Sequence, residues 1–505
     1  MLLPYLQPFK SATKKYMVSF RGLNFSEGWQ DGELADCTNL SSERYPCISQ
    51  RAAREKVGAY IAPTTLHAKE GLLVIDGTRV LYNDELVGEV AEGRKQTATI
   101  GNYIVIFPDK KYYNVATGVF GNMEETYTAE GLVFTDSTIT TTGEDFPFNE
   151  EDAVEISGCS TAENNKTPII RGVSGKTLTF YENTFTAATE EGSVTIKRSV
   201  PDLEFICESN YRLWGTKGNT IYSSAYSNPL NFNLFEGLAG DSYAIDVGSD
   251  GAFTGCIPYS SHICFFKENV LHKLYGVRPS NFQVVTANVY GVQAGCERSL
   301  NIVNEQLLYK GVEGVYAYNG GVPELISSNF GTVRYRDAAA ACDGERYYIS
   351  MRHGEKWRLF VYDVLRGMWL CEDDTQAVDM AFYDGYVYFL DEAGGLYKID
   401  RSADRNDVEW SATFCPFTET MHERKGYSKF HLRLDLAAGA WLAVDMKTDR
   451  DLQWREIFKS HNEHDRTLSV PIVPTRCDSV SIRLRGKGVC TIRSFVREFT
   501  AGSDV

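Results

Sequence analysis

The chain has 505 residues, 43% hydrophobic and 23% charged, values of a folded globular protein that exclude wholesale disorder. Its formal net charge of −16 argues against a general nucleic-acid binder, because phosphate contacts need basic surface. No run of about 18 apolar residues occurs, which excludes a membrane-spanning helix.

The chain opens with MLLPYLQPFKSATKK, whose apolar residues precede its charges, the reverse of a secretory leader. With its prolines, this stretch suits an extended arm, and residues 1–57 are read as an N-terminal arm and interface segment. A repeating phrase then begins: an apolar strand, a short turn rich in Gly, Asp, Asn or Lys, and a second strand carrying Tyr or Phe. It appears as GLLVIDGTRVLYN from Gly71 and NYIVIFPDKKYYNV from Asn102. It returns as YRLWGTKGNTIYSS from Tyr211, HICFFKENVLHKLYG from His262 and QLLYKGVEGVYAYNGG from Gln306. The last two copies are RYYISMRHGEKWRLFVYD from Arg346 and YVYFLDEAGGLYKID from Tyr386. With residues 121–197 set aside, the copies recur about every 40 residues, the length of a four-stranded propeller blade. Stacking such meanders buries their faces and protects their edges. The expected fold is all-β: a β-propeller of about seven blades, six being possible, over 58–120 and 198–409.

Residues 121–197 hold 14 Asp/Glu against 4 Lys/Arg and alternate apolar with polar residues, as at Val154/Ile156 and Leu178/Phe180. They are expected to form a small acidic β-barrel, inserted where a surface loop tolerates it. After about 409 the blade phrase stops. KFHLRLDL, WLAVDMKT, SVSIRLRGKG and CTIRSFVREF alternate with period two, so 410–505 is expected to form a β-sandwich-like domain.

Chemistry-bearing motifs are sparse. The 12 cysteines run from Cys37 to Cys490 without a CxxC pair, which suits buried thiols and reduced, cytoplasmic assembly better than bridges or zinc. His461 and His464 fall in a polar stretch read as a solvated loop. Asp250 is read as a plain β-turn, and Glu372-Asp373-Asp374 as a solvated turn in preference to a glycosidase carboxylate pair. There is no phosphate loop, GxSxG or HExxH. Neither a catalytic, a metal nor a cofactor site is expected. Trp214 and Trp369 could stack on sugar rings but sit inside strand runs, which favours the blade core.

NLSSERYPCISQR (Asn39, Leu40, Tyr45, Pro46, Arg51), the blade phrases FTGCIPYSSHICFFKENVLHKLYG and LFVYDVLRGMW, and the terminal CTIRSFVREF carry a resemblance. Over most of its length the chain resembles tailed-phage virion proteins of the packaged-DNA stabilisation type, which form the tail hub below the portal in short-tailed phages. The 121–197 insertion departs from the simplest members of that family. The resemblance implies a structural, non-enzymatic virion protein that helps to retain packaged DNA. It implies a cyclic homo-oligomer, six-fold, seated between portal or adaptor and the other tail proteins. The rival classes are a carbohydrate-binding propeller of the tail and, third, a glycan hydrolase or lyase.

One surface is singled out. Residues 476–497 hold six basic residues against Asp478 alone. Arg483, Arg485 and Lys487 share one face of an expected strand, and Arg493 and Arg497 are placed together on a face of the next. These five form the candidate interface, meeting an acidic insertion or DNA, unless they are only a solvated face. On that reading Arg483→Glu with Arg485→Glu leaves the monomer folded and slows assembly.

Overall fold

The computed structural model describes residues 12–461 and 464–502. The regular structure of the described residues is β-strand, with short 3-10 turns and no α-helix. Seven four-stranded antiparallel meanders are the blades of a β-propeller. Each of the seven repeated phrases supplies the central hairpin of one blade.

Local chemistry explains the hairpins. Asn83-Asp84, Asn210-Tyr211, Asn304-Glu305 and Asp384-Gly385 all have both residues at positive φ, between 48° and 82°. Two consecutive left-handed residues make the tight turn whose twist matches its flanking strands, and Asn, Asp and Gly tolerate that conformation best.

Two compact units divide the chain. One comprises Tyr60–Leu300 with Lys310–Val312 and holds blades one to four and the insertion. Blade one is Pro63–Ala68, Leu72–Asp76, Arg79–Tyr82 and Glu85–Glu89; blade two is Gln96–Ile100, Tyr103–Phe107, Lys111–Asn114 and Val119–Asn122. Blade three runs from Phe205 to Asp246 and blade four from Phe253 to Ala287. The strand Tyr103–Phe107 shows how blades stack. Ile104 and Ile106 pack with Leu73, Ile75 and Val80 of blade one, while Val105 and Phe107 pack with Leu203 and Leu213 beside blade three. Period-two alternation buries both faces, which is why central blade strands read as unbroken apolar runs.

The insertion in this unit has a three-stranded sheet (Glu125–Ala129, Val194–Arg198, Glu155–Ser157) and a five-stranded one. They enclose one core containing Phe134, Ile139, Ile156, Leu178, Phe180 and Ile196. Of its acids, Asp152 and Glu190 are buried, Asp152 paired with Arg198 and Glu190 accepting from Ser160 and Thr161, and the apolar alternation sets the strands.

The other unit holds most of blade five, blades six and seven, and the C-terminal domain. Blade seven takes its outermost strand, Arg54–Ala59, from the far end of the sequence, antiparallel to Gly395–Ile399. The C-terminal domain has two sheets, as a sandwich requires, but neither is built from 410–505 alone. Thr13–Met17, Leu40–Ser41 and Ile48–Gln50 join the sheet of Lys425–Leu436, His464–Cys477 and Cys490–Ala501. Leu34–Thr38 pairs with Glu409–Phe414 in the other sheet. The described part of the N-terminal 1–57 segment is therefore integral to the sandwich and to blade seven, not a separate arm. Unpaired strand edges are costly, and these short strands cover them; the opening MLLPYLQPFK lies outside the described residues.

Candidate functional site

The five basic residues divide into two kinds. Arg483, Arg485 and Lys487 do share a face of Val480–Lys487, and they are half-buried. Asp445, itself buried at 1% exposure, accepts from Arg483 Nε at 2.8 Å and Arg485 Nε at 2.8 Å. Arg485 also reaches Glu456 at 2.6 Å, and Lys487 reaches Asp407 at 3.0 Å. Arg483 lies 4.8 Å over Trp454 and Arg485 5.8 Å over Trp441. Burial works against the Asp445 carboxylate, yet bonds from Arg485 and Arg483 hold it below the usual range. The pairs with Glu456 and Asp407 lie at the surface, whereas Arg483 and Arg485 are spent on the buried Asp445. Their double reversal to Glu would leave Asp445 among like charges and is expected to cost the sandwich about 2 kcal/mol. A urea titration giving an unchanged midpoint would refute that and restore the surface reading.

Arg497 is not on the basic face at all. A bulge at Arg493, where Arg433 pairs with Ser494 and Leu434 with Ile492, adds one residue and reverses the alternation. Arg493 stays exposed and pairs with Asp435. Arg497 turns into the core at 0% exposure, donating to Glu419 at 2.6 Å and Asp31 at 2.9 Å, 3.9 Å over the Phe417 ring. The common face assigned to the pair does not exist.

A second constellation was missed in the sequence. Glu372 and Asp373, expected in a solvated turn, are instead gripped by arginines. Arg54 Nη2 donates to Glu372 Oε2 at 2.7 Å, and Arg54 Nη1 lies 2.8 Å from Asp373 Oδ2. Arg51 adds contacts of 3.5 Å and 3.3 Å to the same carboxylates. Asn39 accepts from Arg51 Nε at 2.8 Å, and the Asn39 backbone N–H donates to the Glu372 carbonyl at 2.6 Å. Asn39 and Arg51 are two residues of the NLSSERYPCISQR stretch. Its Glu43 receives Arg346, Arg401 and Arg405. The stretch is thus a polar clamp joining blade six to the sandwich. Only the partners' spacing, more than 300 residues away, hid it.

The remaining candidates are structural. Trp214 and Trp369 are each 1% exposed, so neither can stack on a sugar. Trp369 donates to the Ile326 carbonyl at 2.9 Å, which satisfies its only donor. Asp250 sits exposed in a turn, and all 12 cysteines are free thiols. No cluster of metal-ligating groups occurs among the described residues; the His464 side chain lies outside them.

Blade four buries a titratable group. His272, 1% exposed, bonds Ser249 Oγ through Nε2 at 2.7 Å and Thr286 Oγ1 through Nδ1 at 2.9 Å. Burial, with Lys267 nearby, pushes its pKa down to about 4. A histidine depressed below its unfolded value contributes stability fully present above about pH 6.5 and lost as pH falls toward 4. The wild type is expected to lose about 3 kcal/mol over that window from this group, and His272→Gln to show a shallower decline. Parallel pH profiles for the two proteins would contradict this.

No protein-family model matches the chain, and no curated protein matches it. Structural similarity extends to 123 solved chains. The computationally designed Ika8 protein shares 12% identity over 68% of this chain and 98% of its own, with a TM-score of 0.33. BamB from Moraxella catarrhalis shares 9% over 69% and 97%, with a TM-score of 0.35. The N-terminal domain of Nup159 shares 8% over 76% and 99%, at 0.25. At such scores the likeness transfers neither activity nor ligand.

Proposed function

We propose that this chain is a structural component of a tailed-phage virion, assembling as a ring in the tail or head-to-tail connector and helping to retain packaged DNA. The observation that supports this reading is the clamp. Within the stretch carrying the family resemblance, Arg51 holds Glu372 and Asp373 and Glu43 receives Arg346, ion pairs that join blade six to the sandwich. A building block that must keep its domains in one fixed arrangement benefits from such cross-links, because charge-assisted arginine–carboxylate bonds add geometric specificity as well as energy. The portal or adaptor and other tail proteins are the partners this reading names, and six copies the expected number.

Mass measurement and negative-stain imaging of the purified chain test it. Rings alone, or rings formed on adding portal or adaptor protein, are the expected result. A monomer under every condition, with turnover of a polysaccharide, would overturn it in favour of a glycan-processing propeller.

A further inference from the structure

Blade three departs from its neighbours in one connection. The loop before its outermost strand spans residues 224–242, 19 residues, where the corresponding loops of blades one, two, four, five and six have two to seven. Long loops in compact domains are uncommon and usually functional. This one is nearly devoid of charge and is braced from beneath. Arg212, at 0% exposure, donates to the carbonyls of Ser224 at 2.9 Å, Asp241 at 2.5 Å and Ala239 at 2.7 Å. Asp241 Oδ2 accepts from the backbone N–H groups of Gly237 at 2.6 Å and Leu238 at 3.0 Å. The brace presents Phe235 and Leu238 to solvent at 65% and 62% exposure. Between them Glu236 has no cationic partner among the described residues. A rigid loop that holds large apolar side chains in water, with an unneutralised acid beside them, is built as a knob.

A pit of complementary character occurs elsewhere on the chain. It has a volume of about 380 Å³ and is walled by Phe25, Ala35, Val333 and Tyr335. On its rim Arg358 is already neutralised by Asp36 at 2.9 Å. Lys356, also on the rim, has no acidic partner among the described residues. The pit is large enough for an aromatic side chain, and it offers one free cation beside an apolar floor.

We propose that the Phe235–Leu238 knob of one copy seats in this pit of a second copy, with the Phe235 ring against Tyr335 and Val333 and the Glu236 carboxylate on Lys356. The occupant is a second copy because the loop of this same chain supplies both what the pit lacks, an apolar side chain for its wall and an acid for Lys356. Knob and pit are different surfaces, so the contact is heterologous and repeats head to tail, the kind that generates rings when the rotation closes. The inference rests on the self-assembly reading above and supplies its anchor. Buried aromatic residues at interface centres are the side chains whose loss costs most.

The test uses the full chain and sedimentation or mass photometry. Phe235→Asp and Ala35→Trp, one spoiling the knob and the other filling the pit, should each weaken self-association by about 30-fold or more. Mixed together, these two variants retain one good knob and one good pit between them and should form a one-to-one dimer. Lys356→Glu and Glu236→Lys should each weaken association, and the combined chain should recover it. That charge pair is exposed, so it also serves if a substitution in the pit impairs folding. Rings from wild type and all variants alike would overturn the knob-and-pit contact and leave the assembly reading intact. A wild type that never associates, alone or with portal or adaptor protein, would overturn both.

Discussion

Replacing Arg198 by methionine is expected to destabilise the first unit by about 3–5 kcal/mol, the usual cost of stranding one partner of a buried ion pair. Arg198 ends the last strand of the insertion and is 2% exposed; its partner Asp152 is 1% exposed. Besides the bond to Asp152, Arg198 Nε donates to the Met123 carbonyl at 3.0 Å, at the point where blade two gives way to the insertion. Burial already pushes the Asp152 carboxyl above the usual range, against the pull of Arg198. Without the guanidinium, the Asn149 N–H, at 2.9 Å, is the hydrogen bond left to its carboxylate among the described residues. The double variant Arg198→Met/Asp152→Leu should recover much of the loss, because no charge is then left buried. Arg334→Ala is the control. Its pair with Glu313 is 47% and 43% exposed and should be worth no more than about 1 kcal/mol. Urea denaturation reads all three, and a single Arg198 variant within 1 kcal/mol of wild type would refute the argument.

The contrast between those two ion pairs shows what a sequence can and cannot carry. Blade hairpins are legible because their causes are local. Ile104 and Val105 alternate faces by the geometry of a strand, and Asn83-Asp84 or Asp384-Gly385 write the turn directly into the chain. The insertion was legible for the same reason, its apolar residues keeping period two through an acidic background. What the sequence could not carry was pairing at a distance. Arg51 and Arg54 look like ordinary surface cations until Glu372 and Asp373 are brought beside them. Nothing near Leu34–Thr38 announces that its neighbour is Glu409–Phe414.

Arg497 fails for a subtler reason. One bulged residue at Arg493 inverts the strand alternation for the positions that follow, Arg497 among them. A bulge has no dependable sequence mark of its own here. The buried partners Glu419 and Asp31 would have given it away, and both lie far from it in sequence. The candidate interface was thus located by counting charges, whereas the knob and pit are recognisable only from exposure and bracing. Phe235 in sequence is one more aromatic among many. Its 65% exposure and the Arg212 hydrogen bonds beneath its loop distinguish it from a core residue.

Arg54→Met is expected to cost the second unit about 3 kcal/mol at pH 7, and the deficit should shrink in acid. Arg54 lies in the outermost strand of blade seven, 9% exposed in its side chain, bonded to Glu372 at 2.7 Å, Asp373 at 2.8 Å and Thr375 Oγ1 at 2.9 Å. It also lies 5.0 Å over the Phe389 ring, so methionine keeps the packing and removes the charge. Burial works against the Asp373 carboxylate, but Arg54 above all, with Thr375 and Arg51, holds it below the usual range. A carboxylate depressed in the folded state contributes stability that is fully present above about pH 4 and lost as pH falls through its folded value. In the variant most of that contribution is already gone. The wild type must therefore approach the variant as Asp373 protonates, and the two urea midpoints should converge as pH falls below the usual carboxylate range. Arg54→Lys should recover only part of the loss, since one ammonium cannot span two carboxylates as a planar guanidinium does. A deficit that stays constant from pH 7 to pH 3 would mean that Arg54 acts through its packing on Phe389, and the clamp would lose its electrostatic meaning.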